Sequence, residues 1–177
     1  VVDDGSTDNT LQIAHLFAEQ DQRIRVFTQK NVGIFRLAET YNFALGKSNG
    51  KYIAVLEGDD VWLPEKLALQ TQTLEADDNA VLSWGKAYGV SIDLSENYGL
   101  YPNLKYEAKI FTNTPVKSAL KELLFSNYIP ALTVLIRKTA LVQIGGFVQK
   151  FNLPLVDLPT WQELSLLGTF TFVNEPV

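Results

Sequence analysis

A chain of 177 residues with 46% apolar side chains is long enough for one ordinary domain with a sizeable core. Its formal net charge of −5, without a basic patch, argues against a nucleic-acid surface, and no apolar stretch reaches the length of a membrane span. The absence of cysteine excludes disulfides and thiolate metal sites and fits a reducing compartment, and no signal peptide is visible.

The chain opens on Val1-Val2-Asp3-Asp4-Gly5, a short apolar strand that ends in paired carboxylates and a Gly turn. It begins inside a strand without a methionine, so it reads as excised from a longer polypeptide whose first strand is missing. Ser6 and Thr7 are N-cap residues for a helix over 7–20, and Asp8 stands where the helix dipole favours negative charge. Ile13, Leu16 and Phe17 form the apolar stripe of that helix, with His15 on the solvated side. A short strand follows over 24–27, then a turn at Asn31-Val32-Gly33 and a helix over 34–45. Residues 51–56 form an apolar strand. Pro64 starts a helix that runs to about residue 75, with Leu67 and Leu74 on its inner face.

Residues 80–90 read as a strand, and 93–115, rich in Asn, Tyr, Pro and Lys, as a long surface excursion. Helical pattern returns over 116–125, a strand over 132–136, and a short helix over 139–144 that stops at Gly145-Gly146. A last helix covers 160–167 and a last strand 169–173. Alternation of strands and helices predicts an α/β fold of βαβ units around a mixed, mostly parallel sheet flanked by helices.

The most informative run is Tyr52 to Pro64, where an apolar strand ends in Glu57, Asp59 and Asp60. In open α/β sheets ligands bind outside the carboxyl ends of the strands. Carboxylates gathered there repel one another, and a hard divalent cation that also holds a phosphate compensates them. Two strand ends with acidic pairs, at Asp3-Asp4 and Asp59-Asp60, can serve one ligand from two sides.

In order and spacing these segments resemble the family 2 glycosyltransferases, which have the GT-A nucleotide-sugar-binding fold. The matching pieces are Val2-Asp3-Asp4-Gly5-Ser6-Thr7-Asp8; Asn31-Val32-Gly33 with Arg36 and Asn42; Gly50 to Ile53 leading to Glu57-Gly58-Asp59-Asp60 and Trp62; and Ile144-Gly145-Gly146-Phe147 followed by Val156-Asp157 and Trp161. The resemblance implies Mn²⁺ or Mg²⁺ on Asp60 and Asp59, with Asp59 also near the ribose. It implies nucleotide contacts at Asp4, Asp3 and Arg36, with uracil as the base, and Asp157 as catalytic base. Gly145, Gly146 and Trp161 would form the loop at the acceptor and donor sugar. For the two glycines a helix C-cap is the other reading, and for Trp161 core packing is.

The sequence departs from the family pattern at Glu57, where relatives carry Asp, at Val156, where they carry Glu, and in the missing opening strand. A Gln-x-x-Arg-Trp motif, carried by processive polysaccharide synthases of the family, is absent. The implied reaction is therefore metal-dependent, inverting transfer of one sugar from a UDP-sugar to a hydroxyl of a glycan or lipid-linked acceptor. It would take place in the cytoplasm or at the inner face of the membrane, with peripheral membrane association. A non-catalytic nucleotide-sugar-binding or assembly module is the alternative, and a nucleotidyltransferase or phosphotransfer domain is a third. Trp84, Tyr88, Tyr98, Tyr101 and Tyr106 can stack on sugars or simply pack, while Lys105, Lys109 and Lys117 read as surface charges.

Overall fold

The computed structural model describes residues 1–103 and 108–177; the expectations for Lys105 and Tyr106 lie outside the described residues. Strand β1 (Val2–Asp3) pairs in parallel with β2 (Phe27–Thr28) across helix α1 (Thr10–Gln20). A 3-10 turn at Ile34–Arg36 leads into α2 (Leu37–Lys47), then β3 (Tyr52–Ala54) and α3 (Lys66–Glu75). The longest strand, β4 (Ala80–Val90), turns back into β5 (Asn97–Tyr101). After α4 (Ala108–Thr112) and α5 (Leu120–Leu123) come β6 (Leu135–Arg137), α6 (Lys138–Gln143), α7 (Asp157–Leu164) and β7 (Thr169–Pro176).

The α/β expectation holds, with a correction to the strand directions. Among the described residues only β1–β2 and β4–β7 pair in parallel, whereas β3–β6, β4–β6 and β4–β5 are antiparallel. Alternation predicted parallel neighbours, but the strand before α6 inserts between β3 and β4 and runs against both. Among the described residues β1–β2 form a sheet of their own, with no strand pairing to the five-stranded sheet.

Residues 93–101, expected as part of a surface excursion, form a turn and a strand. The Asp93 carboxylate accepts from the Ser91 hydroxyl at 2.7 Å and the Ser95 hydroxyl at 2.8 Å, so a tight turn returns the chain as β5 against β4. These hydrogen bonds, Ser91 first, hold the Asp93 carboxyl down to about 2. The first helix starts later than expected. Ser6 N–H turns back onto the Asp3 carboxylate at 3.3 Å, and Thr10 N–H donates to Asp8 Oδ1 at 3.0 Å, so neither Ser6 nor Thr7 is the cap.

Alternation along β4 and β6 builds the core on two faces. Leu82, Trp84, Val134 and Ile136 face the larger apolar cluster with Tyr128, Leu141 and Leu164. Trp84 is fully buried, with ring centroids 4.5 Å from Phe172, 5.5 Å from Phe111 and 5.6 Å from Tyr128. Its indole N–H donates to Phe111 O at 2.9 Å. The other face packs Leu74, Ala80 and Leu135 under α3.

Two helices differ from their sequence pattern. On α3 the inner row is Lys66, Gln70 and Leu74 at four-residue spacing, and Leu67 is 46% exposed. On α1 no residue is buried: the expected stripe of Ile13, Leu16 and Phe17 is 51 to 57% exposed, because nothing in the described fold covers it. Among the described residues no helix is long and apolar enough to cross a membrane.

Candidate active site

Each strand end positions its acids differently. At the end of β1, Asp3 is buried, and its carboxylate also takes the Thr28 hydroxyl at 3.3 Å. Hydrogen bonds, chiefly from Ser6, keep Asp3 below the ordinary carboxylate range. Asp4 accepts from Gln29 Nε2 at 2.7 Å and from Val32 N–H at 3.3 Å, and the same Gln29 nitrogen reaches Thr40 Oγ1. Gly5 follows at φ +80°, and a Cβ there would stand 2.9 Å from Asn31 N. Glycine is what allows the chain to turn so tightly against the next loop. Arg36 is engaged with Glu39 through two parallel bonds of 2.7 Å and is 62% exposed, so it meets solvent rather than either acidic pair.

Beyond β3 the chain turns through Asp60 N–H to Glu57 O at 3.3 Å. One carboxylate oxygen from each of Glu57, Asp59 and Asp60 lies within 4.8 Å of the others. Burial first, and then the charges of Asp59 and Glu57, raise the Asp60 carboxyl above its ordinary range. Three converging hard oxygen donors suit Mg²⁺ or Mn²⁺. Glu57, where the sequence departs from the family pattern, is a full member of the cluster.

Tyr41 on α2 connects this cluster to the rest of the site. Its hydroxyl donates to Glu57 Oε1. Burial, the Glu57 bond, and the charges of Glu57, Asp157 and Asp60 all push the phenol well above its usual range. The tyrosine therefore lies within electrostatic reach of the acidic cluster and of Asp157 together. Asp157 is the first residue of α7, where the helix dipole favours a carboxylate. Its Oδ2 accepts a hydrogen bond from Asn127 Nδ2.

Gly145 and Gly146 sit at φ +89° and +97° and terminate α6, with Gly146 N–H on Leu141 O at 2.8 Å. This is C-cap geometry. A Cβ on Gly146 would stand 2.2 Å from Asn42 Oδ1. Asn42 donates to Phe147 O at 2.9 Å and accepts from Phe147 N–H at 2.8 Å, so the glycines let this loop close onto α2. Phe147 then stacks edge-on to Tyr41 at 5.1 Å. Trp161, expected at the sugar loop, is a correction: it is 1% exposed, its indole donates to Ile129 O at 3.3 Å, and it belongs to the core.

Sequence reasoning missed Tyr41, Asn127 and Lys66. Tyr41 adjoins Asn42 of the family pattern but has no charge of its own, Asn127 stands in a segment without such a pattern, and Lys66 in a pattern that puts Leu67 inward. Lys66 is fully buried beside the acidic loop, donating to Val134 O at 3.1 Å and to Gln70 Oε1, 5.4 Å from the Trp62 ring. Burial pulls its ammonium down to about 7, against about 10.4 in an unfolded chain. Between these values the unfolded state binds more protons, so stability rises with pH across that window. Urea unfolding of the protein at pH 7 and at pH 10 should show this rise. Lys66→Met should flatten it, and a slope that survives in the variant would exclude Lys66 as its source.

A cleft of about 430 Å³ lined by Lys51, Arg137 and Lys138 opens elsewhere. Its cations are engaged by Glu75, by backbone carbonyls and by Ser48 O.

An α/β fold with carboxylates after β1 and β3 and another at the start of α7 is that of a GT-A-like domain. The family model for glycosyl transferase family 2 matches residues 1–129, and the chain belongs to that family. It is 30% identical over 169 residues, 94% of this chain and 59% of the relative, to TuaG of Bacillus subtilis (strain 168), provisionally named a teichuronic acid biosynthesis glycosyltransferase. It is 30% identical over 131 residues, 72% of this chain and 33% of the relative, to the cholesterol galactosyltransferase of Borreliella burgdorferi. Among solved structures it resembles S. aureus TarS 1-349 with TM-score 0.68 and 18% identity, over 100% of this chain and 48% of that one. The mannosyltransferase PcManGT from Pyrobaculum calidifontis, in complex with GDP-Man and Mn²⁺, matches with TM-score 0.60 and 18% identity, over 99% of this chain and 44% of that one. The chain thus spans less than two thirds of the length of these relatives.

Proposed function

We propose that this chain carries the donor site and base of a metal-dependent, inverting glycosyltransferase that moves one sugar from a UDP-sugar to a hydroxyl of a glycan or lipid-linked acceptor. The observation that carries this reading is the convergence of one carboxylate oxygen each from Glu57, Asp59 and Asp60 within 4.8 Å beyond the end of β3. Asp60 and Asp59 would hold Mn²⁺ or Mg²⁺, with Glu57 beside them. A cation there supplies Lewis-acid neutralisation of the departing diphosphate. Asp4 and Asp3 would stand at the nucleotide base, and Arg36 near the nucleotide once released from Glu39. Asp157 would take the proton of the acceptor hydroxyl as it attacks opposite the leaving nucleotide, which inverts the anomeric centre.

Binding of Mn²⁺ with UDP by a neighbouring structure, glucosyl-3-phosphoglycerate synthase of Mycobacterium tuberculosis, supports the choice of probe. Phe151, Leu153 and Leu155 stand exposed in the loop before Asp157, an apolar approach that suits a lipid-linked acceptor. Such an acceptor would hold the protein at the inner face of the membrane.

The test is calorimetric titration of UDP into this chain and into the longer protein, with Mn²⁺ and with EDTA. Binding should require the metal and be lost in Asp60→Ala. Metal-independent binding, or binding that survives Asp60→Ala, would reject the acidic cluster as the nucleotide-metal site.

A further inference from the structure

The segment 127–134 joins the two halves of the site. Its carbonyls are taken by side chains from both. Trp62 Nε1 donates to Leu132 O at 3.0 Å, Gln70 Nε2 to Thr133 O at 2.6 Å and Lys66 Nζ to Val134 O at 3.1 Å. These three donors belong to the acidic loop and the helix that follows it. At the other end Tyr101 Oη donates to Asn127 O at 2.7 Å and Trp161 Nε1 to Ile129 O at 3.3 Å. Trp161 stands on the helix that Asp157 opens. A backbone segment held by five side chains is a strut between the metal loop and the base helix.

At the base end of this strut, the Asn127 side chain aims Nδ2 at Asp157 Oδ2. Its Oδ1 is buried and has no hydrogen-bond partner among the described residues. An unsatisfied buried oxygen costs about 1–3 kcal/mol. Turning the amide over would put that oxygen against the carboxylate, and two acceptors repel. The orphaned oxygen is thus the consequence of pointing the N–H at Asp157, and it marks the amide as fixed for the carboxylate's sake.

We propose that Asn127 is a positioning residue for sugar transfer: its amide holds one oxygen of Asp157, leaving the other to receive the acceptor's proton, while the strut sets that carboxylate's distance from the acidic cluster. The inference rests on Asp157 as base. Misplacing a reacting group by about 1 Å can cost on the order of 10²-fold in rate, and a carboxylate released from its donor is open to that displacement.

The test compares Asn127→Ala, Asn127→Ser, Asp157→Asn and the Asn127→Ala/Asp157→Asn pair in the longer protein, following UDP release from UDP-glucose or whichever UDP-hexose it turns over. Asn127→Ala should lower kcat about 100-fold with donor KM and UDP affinity unchanged, and Ser, which returns a donor, should recover most of the loss. On the Asp157→Asn background the Ala change should have no further effect, whereas a residue that serves folding alone would subtract the same factor from both. A crystal structure of Asn127→Ala supplies a readout independent of turnover: the Asp157 carboxylate should leave its single position. Full turnover in Asn127→Ala, or an unmoved carboxylate, overturns the inference. Full turnover in Asp157→Asn overturns the base reading beneath it, so the two failures are told apart.

Discussion

Asp157→Asn removes between about 10² and 10⁴ of the turnover, the share that a positioned general base supplies, and leaves metal-dependent UDP binding as it was. The amide has nearly the carboxylate's shape but cannot accept the acceptor's proton. Asp157 opens α7 and meets Asn127, not the residues at the ends of β1 and β3 that would hold the nucleotide, so binding and chemistry separate. Paired measurements of UDP release and UDP titration check this. Equal loss of both would mean that Asp157 holds donor, and loss of neither would leave a binding module.

The second large effect concerns the core. Trp84→Ala should destabilise the fold by about 3–5 kcal/mol, the range for deleting a buried large aromatic. Trp84 lies on β4, which pairs with β5, β6 and β7, and its ring meets Phe111, Tyr128 and Phe172. Deletion leaves a cavity bounded by rigid rings and strips Phe111 O of its indole donor. Trp84→Phe keeps much of the packing and should cost less, although it still removes the indole donor to Phe111 O. Urea denaturation of both variants gives the comparison; a Trp84→Ala cost under 1 kcal/mol would mean that the site collapses freely.

Much of this was legible in the chain itself, for physical reasons. Apolar runs that stop at acids, as at Asp3-Asp4 and Glu57-Asp60, place carboxylates at strand ends, and the structure keeps them there. Helix faces were less legible. Leu67 and Lys66 are adjacent, and hydrophobicity chooses the wrong one because Lys66 goes inward to meet a carbonyl and an amide that sequence cannot display. Strand direction was hidden for a similar reason: β6 lies between β3 and β4 through pairings that join distant segments. The Gly145-Gly146 pair was legible as a cap, but its meaning depends on Asn42, about a hundred residues earlier, whose amide fits only where a side chain is missing. Asn127 carried no local signal at all.

The separation of β1–β2 from the five-stranded sheet bears on motion. Among the described residues no backbone ladder ties the Asp3-Asp4 half of the site to the half that carries Glu57, Asp60 and Asp157, and side chains such as Asn42 and Gln149 make the link. Regions fastened by few buried contacts open at a fraction of the global unfolding free energy. The Asp3-Asp4 half can therefore breathe as a cooperative unit of its own, while the segment 127–134 and Asp157 keep their places.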